Sequence, residues 1–379
     1  MMDVNRRRFL VITGTRADYG KLSRVVSKMR SKGDLQVRWH VTGMHVPERY
    51  GSTWHHVRND SLARWSLYDN GVDSLSVGEI FAMTASNVQR DLTSEPCDAV
   101  IVHGDRLEAL AAASVAHLHG LHVCHIEGGE LSGTVDDSIR HAVTKLSHTH
   151  FVANAQARDI LLQLGEDERT IYVVGSPEND LFRMRTLPDI SQVLHRYEIP
   201  FDEYAILIFH PVSTELKALE KQIDVLSEYV HRSGRNFVLI GPNSDPGSDK
   251  IWPVWLKLSL LPNIRFIPSM RFEYFSVLLA HSAVIVGNSS SGIREAANFG
   301  VACVDIGSRQ TGRLAGENVV HADWDIVEIA MKVERQWATR YPAANLYGNG
   351  SATDNIVEVL ASNEFWEQGL QKRFFPRFQ

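Results

Sequence analysis

Three short segments place carboxylates where apolar runs end or a helix begins: Val100-Ile-Val-His-Gly-Asp105-Arg106, His125-Ile-Glu127-Gly-Gly-Glu130 and Thr134-Val-Asp136-Asp137-Ser-Ile-Arg140. In a parallel α/β sheet that is the edge at which active sites assemble. Asp105 and Glu127 close two consecutive strands of one β-α-β unit, so folding must bring them near each other, and Asp136 adds a third acid at a helix start. Like charges within about 4–6 Å raise one pKa of the set, so one carboxyl keeps a proton while another is ionised. Such a set suits proton removal and delivery. Taken singly, each acid has a plainer reading. Asp105 and Glu127 are then loop carboxylates, and Asp136 or Asp137 caps the helix Ser138-Ile-Arg-His-Ala-Val-Thr-Lys-Leu. Together they point to chemistry.

The elements that position these acids alternate β-like apolar runs with amphipathic helices, which predicts parallel sheets covered on both faces. Arg8-Phe-Leu-Val-Ile-Thr, Leu35-Gln-Val-Arg-Trp-His-Val, Asp98-Ala-Val-Ile-Val, Leu121-His-Val-Cys-His-Ile, Thr149-His-Phe-Val-Ala and Thr170-Ile-Tyr-Val-Val read as strands of a first doubly wound domain. The helix between the third and fourth runs from Leu107 to Leu118, with Leu107, Leu110, Ala111, Ser114, Val115 and Leu118 on one face. After Gly175-Ser-Pro the pattern restarts, with strands expected at Tyr204-Ala-Ile-Leu-Ile-Phe, Asn236-Phe-Val-Leu-Ile, Ile264-Arg-Phe-Ile, Ala283-Val-Ile-Val and Val301-Ala-Cys-Val-Asp-Ile, and a long helix from Glu215 to His231. The expected division is 1–177 for an N-terminal domain carrying the acids and 178–360 for a second Rossmann-like domain.

In the second domain, Val286-Gly-Asn-Ser289-Ser290-Ser291-Gly292-Ile-Arg294-Glu295 follows a buried strand and opens a helix. Small residues let backbone approach a ligand, and free N–H groups at a helix start favour a diphosphate. Glu295 in the first turn would accept hydrogen bonds from a ribose diol. The plainer reading is a serine-rich turn with Glu295 complementing the helix dipole. Arg16, His210, Asn243 and Arg309 stand in loops after strands, where an arginine is commonly a solvated charge and an asparagine a turn former. Arg271, after Pro268-Ser-Met, is a weaker phosphate candidate.

Composition narrows the field. The chain has 379 residues, 44% of them hydrophobic and 22% charged, which suits a globular protein of two domains. A net charge of −6 argues against a general nucleic-acid binder. The three cysteines, Cys97, Cys124 and Cys303, lack paired spacing, so neither a disulfide framework nor a thiolate metal site is expected, and a reducing cytoplasm is the natural location. Histidines crowd between His103 and His150, but none has helical zinc spacing with an intervening glutamate, so no metal is expected. The opening Arg6-Arg-Arg-Phe-Leu-Val-Ile reads as a first strand rather than a signal peptide, and no membrane association is expected.

The runs His103-Gly-Asp-Arg and His125-Ile-Glu-Gly-Gly-Glu-Leu-Ser-Gly-Thr-Val-Asp-Asp-Ser-Ile-Arg-His-Ala-Val-Thr-Lys-Leu-Ser-His closely resemble the hydrolysing UDP-N-acetylglucosamine 2-epimerases of sialic acid biosynthesis. The resemblance extends from Gly14-Thr-Arg-Ala-Asp-Tyr through Phe209-His-Pro-Val to Gly287-Asn-Ser-Ser-Ser-Gly-Ile-Arg-Glu and Gly307-Ser-Arg-Gln-Thr-Gly-Arg. It implies two doubly wound Rossmann-like domains facing a cleft, the glycosyltransferase B type of α/β fold. A last helix around Phe365 to Phe374, within 361–379, would return to the first domain.

The resemblance further implies that Asp105, Glu127 and Asp136 are catalytic. Arg16, His210, Asn243, Ser289, Ser290, Gly292 and Arg309 would contact UDP, with Glu295 on the ribose. Arg106, Glu130, Asp137 and Arg140 are expected to bind the sugar or support the acids. No cofactor is implied, and a homodimer or homotetramer is. The sequence His210-Pro-Val-Ser-Thr-Glu, in place of an arginine-rich stretch, matches the hydrolysing branch, which releases free N-acetylmannosamine. Alternatives are a hydrolysing epimerase of UDP-2,4-diacetamido-trideoxyhexose, a retaining glycosyltransferase that would leave the three acids without a clear purpose, and a nucleotide-sugar sensor that binds without turnover.

Overall fold

The computed structural model describes residues 6–60, 62–183, 187–243 and 245–377. It divides into two compact units. The first holds the chain up to Glu130, Asp136–Arg183 and everything from Tyr347 on, and the second holds Leu131–Val135 and the chain from Met184 to Leu346. The helix Ala352–Ala361 was expected in the second domain but belongs to the first, because its Ile356, Val357 and Leu360 are buried in the same core as Phe9 and Leu22.

In the first unit, β1 (Arg7–Thr13), β2 (Leu35–Val41), β3 (Arg64–Leu67), β4 (Ala99–His103), β5 (His122–Ile126), β6 (Thr149–Val152) and β7 (Ile171–Val173) form one sheet in the order β3-β2-β1-β4-β5-β6-β7. All its neighbours run parallel. Phe9, Val11, Ile101, Cys124 and Ile126 point into one apolar layer, and Leu10, Ile12, Val100, Val102 and Val123 into the other. Burial on both faces explains the unbroken Val/Ile-rich runs. The strand order reverses between β1 and β4, a switch point whose C-terminal edge is the site-forming edge of such sheets.

The second unit repeats the plan with β8 (Ala205–Ile208), β9 (Phe237–Ile240), β10 (Ile264–Ile267), β11 (Val284–Gly287), β12 (Cys303–Ile306) and β13 (Val319–Ala322). Its parallel sheet has the order β10-β9-β8-β11-β12-β13. The long helix expected from Glu215 spans Leu219–Ser233, after a short 3-10 turn at Ser213–Glu215.

Two helices of the first unit depart from expectation. Leu107–Leu118 buries Ala109, Ala112, Ala113 and Ala116, whereas Leu118 is 84% exposed. Small side chains let the helix axis approach the sheet closely, so the alanine side wins over the leucine side. At the C-terminus, the helix around Phe365 is only Asn363–Trp366, with Phe365 fully buried. Beyond it the chain is irregular and is held by distant partners. His148 Nε2 donates to Leu370 O at 3.0 Å, and Phe375 N–H donates to Gly165 O at 2.9 Å. The Phe374 ring occupies the space of a side chain at Gly165, where a Cβ would lie 2.3 Å from it.

Lys372 of this tail donates to Thr144 O at 2.9 Å and pairs with Glu166, which also binds Lys145 at 2.6 Å and His150 at 3.1 Å. Burial alone would raise the Glu166 pKa, but the hydrogen bond from His150 and the two ammonium groups outweigh it and bring it to about 2 from 4.5. A depressed carboxyl stabilises the fold above its unfolded pKa and loses that contribution as pH falls. Unfolding followed by circular dichroism should therefore show stability draining away between about pH 4.5 and 2. Glu166→Gln should flatten that decline, and an unchanged acid profile would contradict the assignment.

Candidate active site

β4 and β5 lie side by side with Val102 opposite His125 and His103 opposite Ile126, so Asp105 and Glu127 leave the sheet at the same edge. Glu127 has φ +66, in the left-handed region. A non-glycine residue held there stores about 1–3 kcal/mol of strain and is characteristic of functional positions. Its N–H donates to Phe151 O at 2.8 Å, and its side chain is 4% exposed. One carboxylate oxygen lies 3.0 Å from His103 Nε2 and 3.6 Å from Lys21 Nζ. The other accepts from the Ser176 hydroxyl.

His103 Nδ1 in turn lies 3.1 Å from Asp18 Oδ1, and Lys21 pairs with Glu178. Burial opposes charge on His103, but the negative charge of Glu127 and the hydrogen bond to Asp18 outweigh it and lift its pKa to about 9. Burial likewise works against ionised Asp18, yet the hydrogen bond and charge of His103 hold its pKa below the usual range. Asp18, Lys21, His103, Ser176 and Glu178 received no role from the sequence. Asp18 and His103 lie inside the quoted motifs, but only folding shows that they meet.

Asp105 is held by Arg140, a guanidinium with 2% exposure. Arg140 Nη1 also donates to Glu130 O at 2.7 Å and lies 3.6 Å from Asp137 Oδ1. Burial disfavours its charge, but Asp105, Glu130 and Asp136 more than offset that and raise its pKa. Asp136 and Asp137 stand in the first turn of the helix Val135–Leu146, which starts before the residues expected to cap it. His125 donates from Nε2 to Gly104 O at 2.8 Å, and its Nδ1 lies 3.2 Å from the Thr144 hydroxyl. Burial drives its pKa to about 3, so it is a neutral strut fixing the turn that presents Asp105.

Arg106 Nε lies 3.2 Å from the Glu108 carboxylate. Arg16 opens the helix Arg16–Ser31 and its Nη2 lies 3.2 Å from His56 Nε2. It belongs to the first unit, whereas the other expected UDP ligands belong to the second.

In the second unit, Asn288 ties three strand ends together. Its side chain accepts from His210 N–H at 2.8 Å and donates to His210 O at 2.8 Å, while its own N–H donates to Ile208 O at 3.1 Å. Its carbonyl accepts from Gln310 Nε2 at 2.7 Å and from Arg309 Nη1 at 3.4 Å. His210 Nδ1 accepts from Asn243 N–H at 3.1 Å, which leaves Nε2 to carry the proton in the neutral ring. Sequence reasoning missed Asn288 and Gln310, which touch mostly backbone.

Gly287 has φ +123 and a Cβ there would lie 2.0 Å from Ile208 O, so only glycine closes this turn. The helix expected to open directly after the serines is divided into a 3-10 turn, Ser290–Gly292, and a five-residue helix, Glu295–Phe299. Ser289 Oγ caps the turn by accepting from Ser291 N–H at 3.3 Å. At Gly292 a Cβ would meet Cys303 Sγ at 2.5 Å, which gives that glycine a packing reason. Glu295 is 4% exposed. Arg271 precedes the helix Phe272–His281, with Nε 3.6 Å from Glu273. Among the described residues, no group of three or more His, Cys, Asp and Glu side chains could hold a metal ion, and no helix is long and apolar enough to cross a membrane.

Two parallel doubly wound units, one with acids and counter-charges at its strand ends and the other with a small-residue turn knitted by Asn288, make the glycosyltransferase B type of α/β fold. The chain belongs to the UDP-N-acetylglucosamine 2-epimerase family, whose sequence pattern matches residues 27–361. It is 40% identical over 372 residues to a UDP-N-acetylglucosamine 2-epimerase of Neisseria meningitidis serogroup B, covering 97% of this chain and 98% of that one. It is 33% identical over 373 residues to the UDP-N,N'-diacetylbacillosamine 2-epimerase (hydrolyzing) of Legionella pneumophila, with 97% and 98% covered. The crystal structure of UDP-GlcNAc 2-epimerase from Neisseria meningitidis bound to UDP-GlcNAc superposes with a TM-score of 0.76 at 20% identity, over 93% of this chain and 99% of that one.

Proposed function

We propose that the protein is a hydrolysing 2-epimerase that converts UDP-N-acetylglucosamine and water to N-acetylmannosamine and UDP, the entry to sialic acid and capsule synthesis. The observation that supports this reading is that Asp105 and Asp136 share the charge of Arg140 while Glu127, paired with His103, leaves the neighbouring strand at the same sheet edge as Asp105, since the reaction needs both proton removal and proton delivery. The C2 proton of the sugar is hardly acidic, because no carbonyl adjoins it. Departure of UDP from C1 builds oxocarbenium character that acidifies it. A carboxylate takes the proton, the C–H pair becomes the C1–C2 double bond, and UDP leaves with the C1–O pair. Water then adds to the resulting 2-acetamidoglucal, with the new proton delivered to the opposite face of C2.

Asp105, Glu127 and Asp136 are the acids assigned to these steps. His210, Asn243, Ser289, Ser290, Gly292, Glu295 and Arg309, with Arg16, are assigned to UDP. Arg140, Glu130, Asp137 and Arg106 support the acids or touch the sugar. The reading also makes the protein a cytoplasmic homo-oligomer, and its three buried, free cysteines suit a reducing compartment.

The test is proton NMR of the protein with UDP-N-acetylglucosamine in D2O. The expected result is free N-acetylmannosamine deuterated at C2, with one equivalent of UDP. UDP-N-acetylmannosamine as product would refute the hydrolysing reading. Turnover only of the 2,4-diacetamido-trideoxyhexose nucleotide would move the substrate to the class named for the Legionella relative.

A further inference from the structure

The reaction scheme leaves open which carboxylate removes the C2 proton, and the surroundings of Glu127 bear on that choice. A carboxylate side chain that is 4% exposed has lost most of its hydration, so it stays ionised only with a charged partner or several donors. Glu127 has both, in His103 and the Ser176 hydroxyl. His103 is itself braced on its far side by Asp18, whose N–H donates to Thr15 Oγ1 at 3.1 Å at the start of the helix Arg16–Ser31. Both ring nitrogens of His103 therefore face carboxylates, and only the imidazolium can donate to both at once.

We propose that His103, clamped between Asp18 and Glu127, is a positioning residue that holds Glu127 as the ionised base for C2 of the sugar. The step rests on the hydrolysing-epimerase reading. The C2–H bond breaks with its proton passing to Glu127, its electron pair forms the C1–C2 double bond, and the C1–O pair leaves with UDP. His103 neither touches the sugar nor exchanges its proton with it. The delivery of the second proton then falls to another acid of the set.

The charged groups around His103 come from every neighbouring element. Asp18 and Lys21 stand on the helix Arg16–Ser31, Arg106 precedes the helix Leu107–Leu118, the neutral His125 lies at the end of β5 and Glu127 directly follows it. Lys21 opposes charge on His103, but it is paired with Glu178 from the segment after β7. The two adjacent carboxylates dominate, and the imidazolium persists to about pH 9.

The experiment reads the histidine directly and then its effect on turnover. Long-range proton–nitrogen NMR of the substrate-free protein should show the His103 ring protonated on both nitrogens at neutral pH, with a midpoint near 9. In Asp18→Asn and Glu127→Gln the midpoint should fall by about 1–3 pH units. The kcat profile of the wild type should decline as pH rises through the same midpoint, and Asp18→Asn should move that limb down by the same amount with KM little changed. His103→Gln should lose the limb and about 10²-fold in kcat, the loss a misheld base would give.

A midpoint at or below the ordinary value of about 6.5 would overturn the proposal. So would an alkaline limb that Asp18→Asn does not move. The titration needs no turnover, so it stands or falls apart from the reaction itself. A wild type that makes no N-acetylmannosamine would refute the function and not the clamp. Should a variant fail to fold, the wild-type titration alone still decides the clamp.

Discussion

Glu127→Gln is expected to lower kcat by about 10²–10⁴-fold, the range associated with loss of a positioned general base. UDP affinity should stay within about twofold, because the UDP ligands other than Arg16 are assigned to the second unit, while Glu127 lies in the first. The substitution is close to isosteric. The amide oxygen still accepts from the Ser176 hydroxyl, and the left-handed backbone at φ +66 suits glutamine no worse than glutamate. What it removes is the negative charge beside His103. Steady-state kinetics with UDP-N-acetylglucosamine, run beside UDP titration of the same preparation, separate the two effects. Asp105→Asn and Asp136→Asn should also lose turnover with binding kept. If the three acids act as one unit, pairwise combinations will lose far less than the product of the single effects. Normal rates in all three would remove the site from this edge of the sheet.

The interior strands β1 and β4 were legible because burial on both faces demands unbroken apolar runs, here Phe9-Leu-Val-Ile and Ala99-Val-Ile-Val, whereas β2, β5 and β6 are interrupted by Gln36 and Arg38 or by buried histidines and were read from the apolar residues between them. The two strands that were missed, β3 (Arg64-Trp-Ser-Leu) and β13 (Val-Val-His-Ala), close opposite edges of their sheets. An edge strand has one neighbour and partial exposure, so its sequence need not be apolar throughout, and Arg64 is exposed. The return of the chain to the first unit was expected one helix too late, since Ile356, Val357 and Leu360 give an amphipathic pattern that says nothing about which core it meets. The candidate acids were visible from their places at strand ends and, for Asp136, at a helix start. Their partners were not, since the His103–Asp18 contact spans 85 residues and Ser176–Glu127 spans 49, and no local spacing encodes either pairing.

Arg140→Ala should destabilise the protein by about 3 kcal/mol, the lower part of the range for breaking a buried ion pair. The side chain is 2% exposed and joins the Asp105 carboxylate to the Glu130 carbonyl from the second turn of the helix that carries Asp136. Its removal takes from Glu130, at 6% exposure, the positive charge of Arg140 and one donor to its backbone carbonyl. Asp105 and Asp137 are each 29% exposed and can be rehydrated, which keeps the loss from reaching the top of the range. Arg140→Lys should fall between the two. An ammonium keeps the charge but lacks the planar fork that reaches Glu130 O and Asp105 together. Because Asp105 would then be oriented by only part of its present contacts, kcat should also fall in Arg140→Lys while the fold is largely kept. Urea unfolding of the three proteins gives the stability order, and turnover at one pH gives the second. An Arg140→Ala protein within about 0.5 kcal/mol of wild type, the scale of an ordinary surface change, would mean that the helix and the Asp105 turn are held together by something other than this guanidinium.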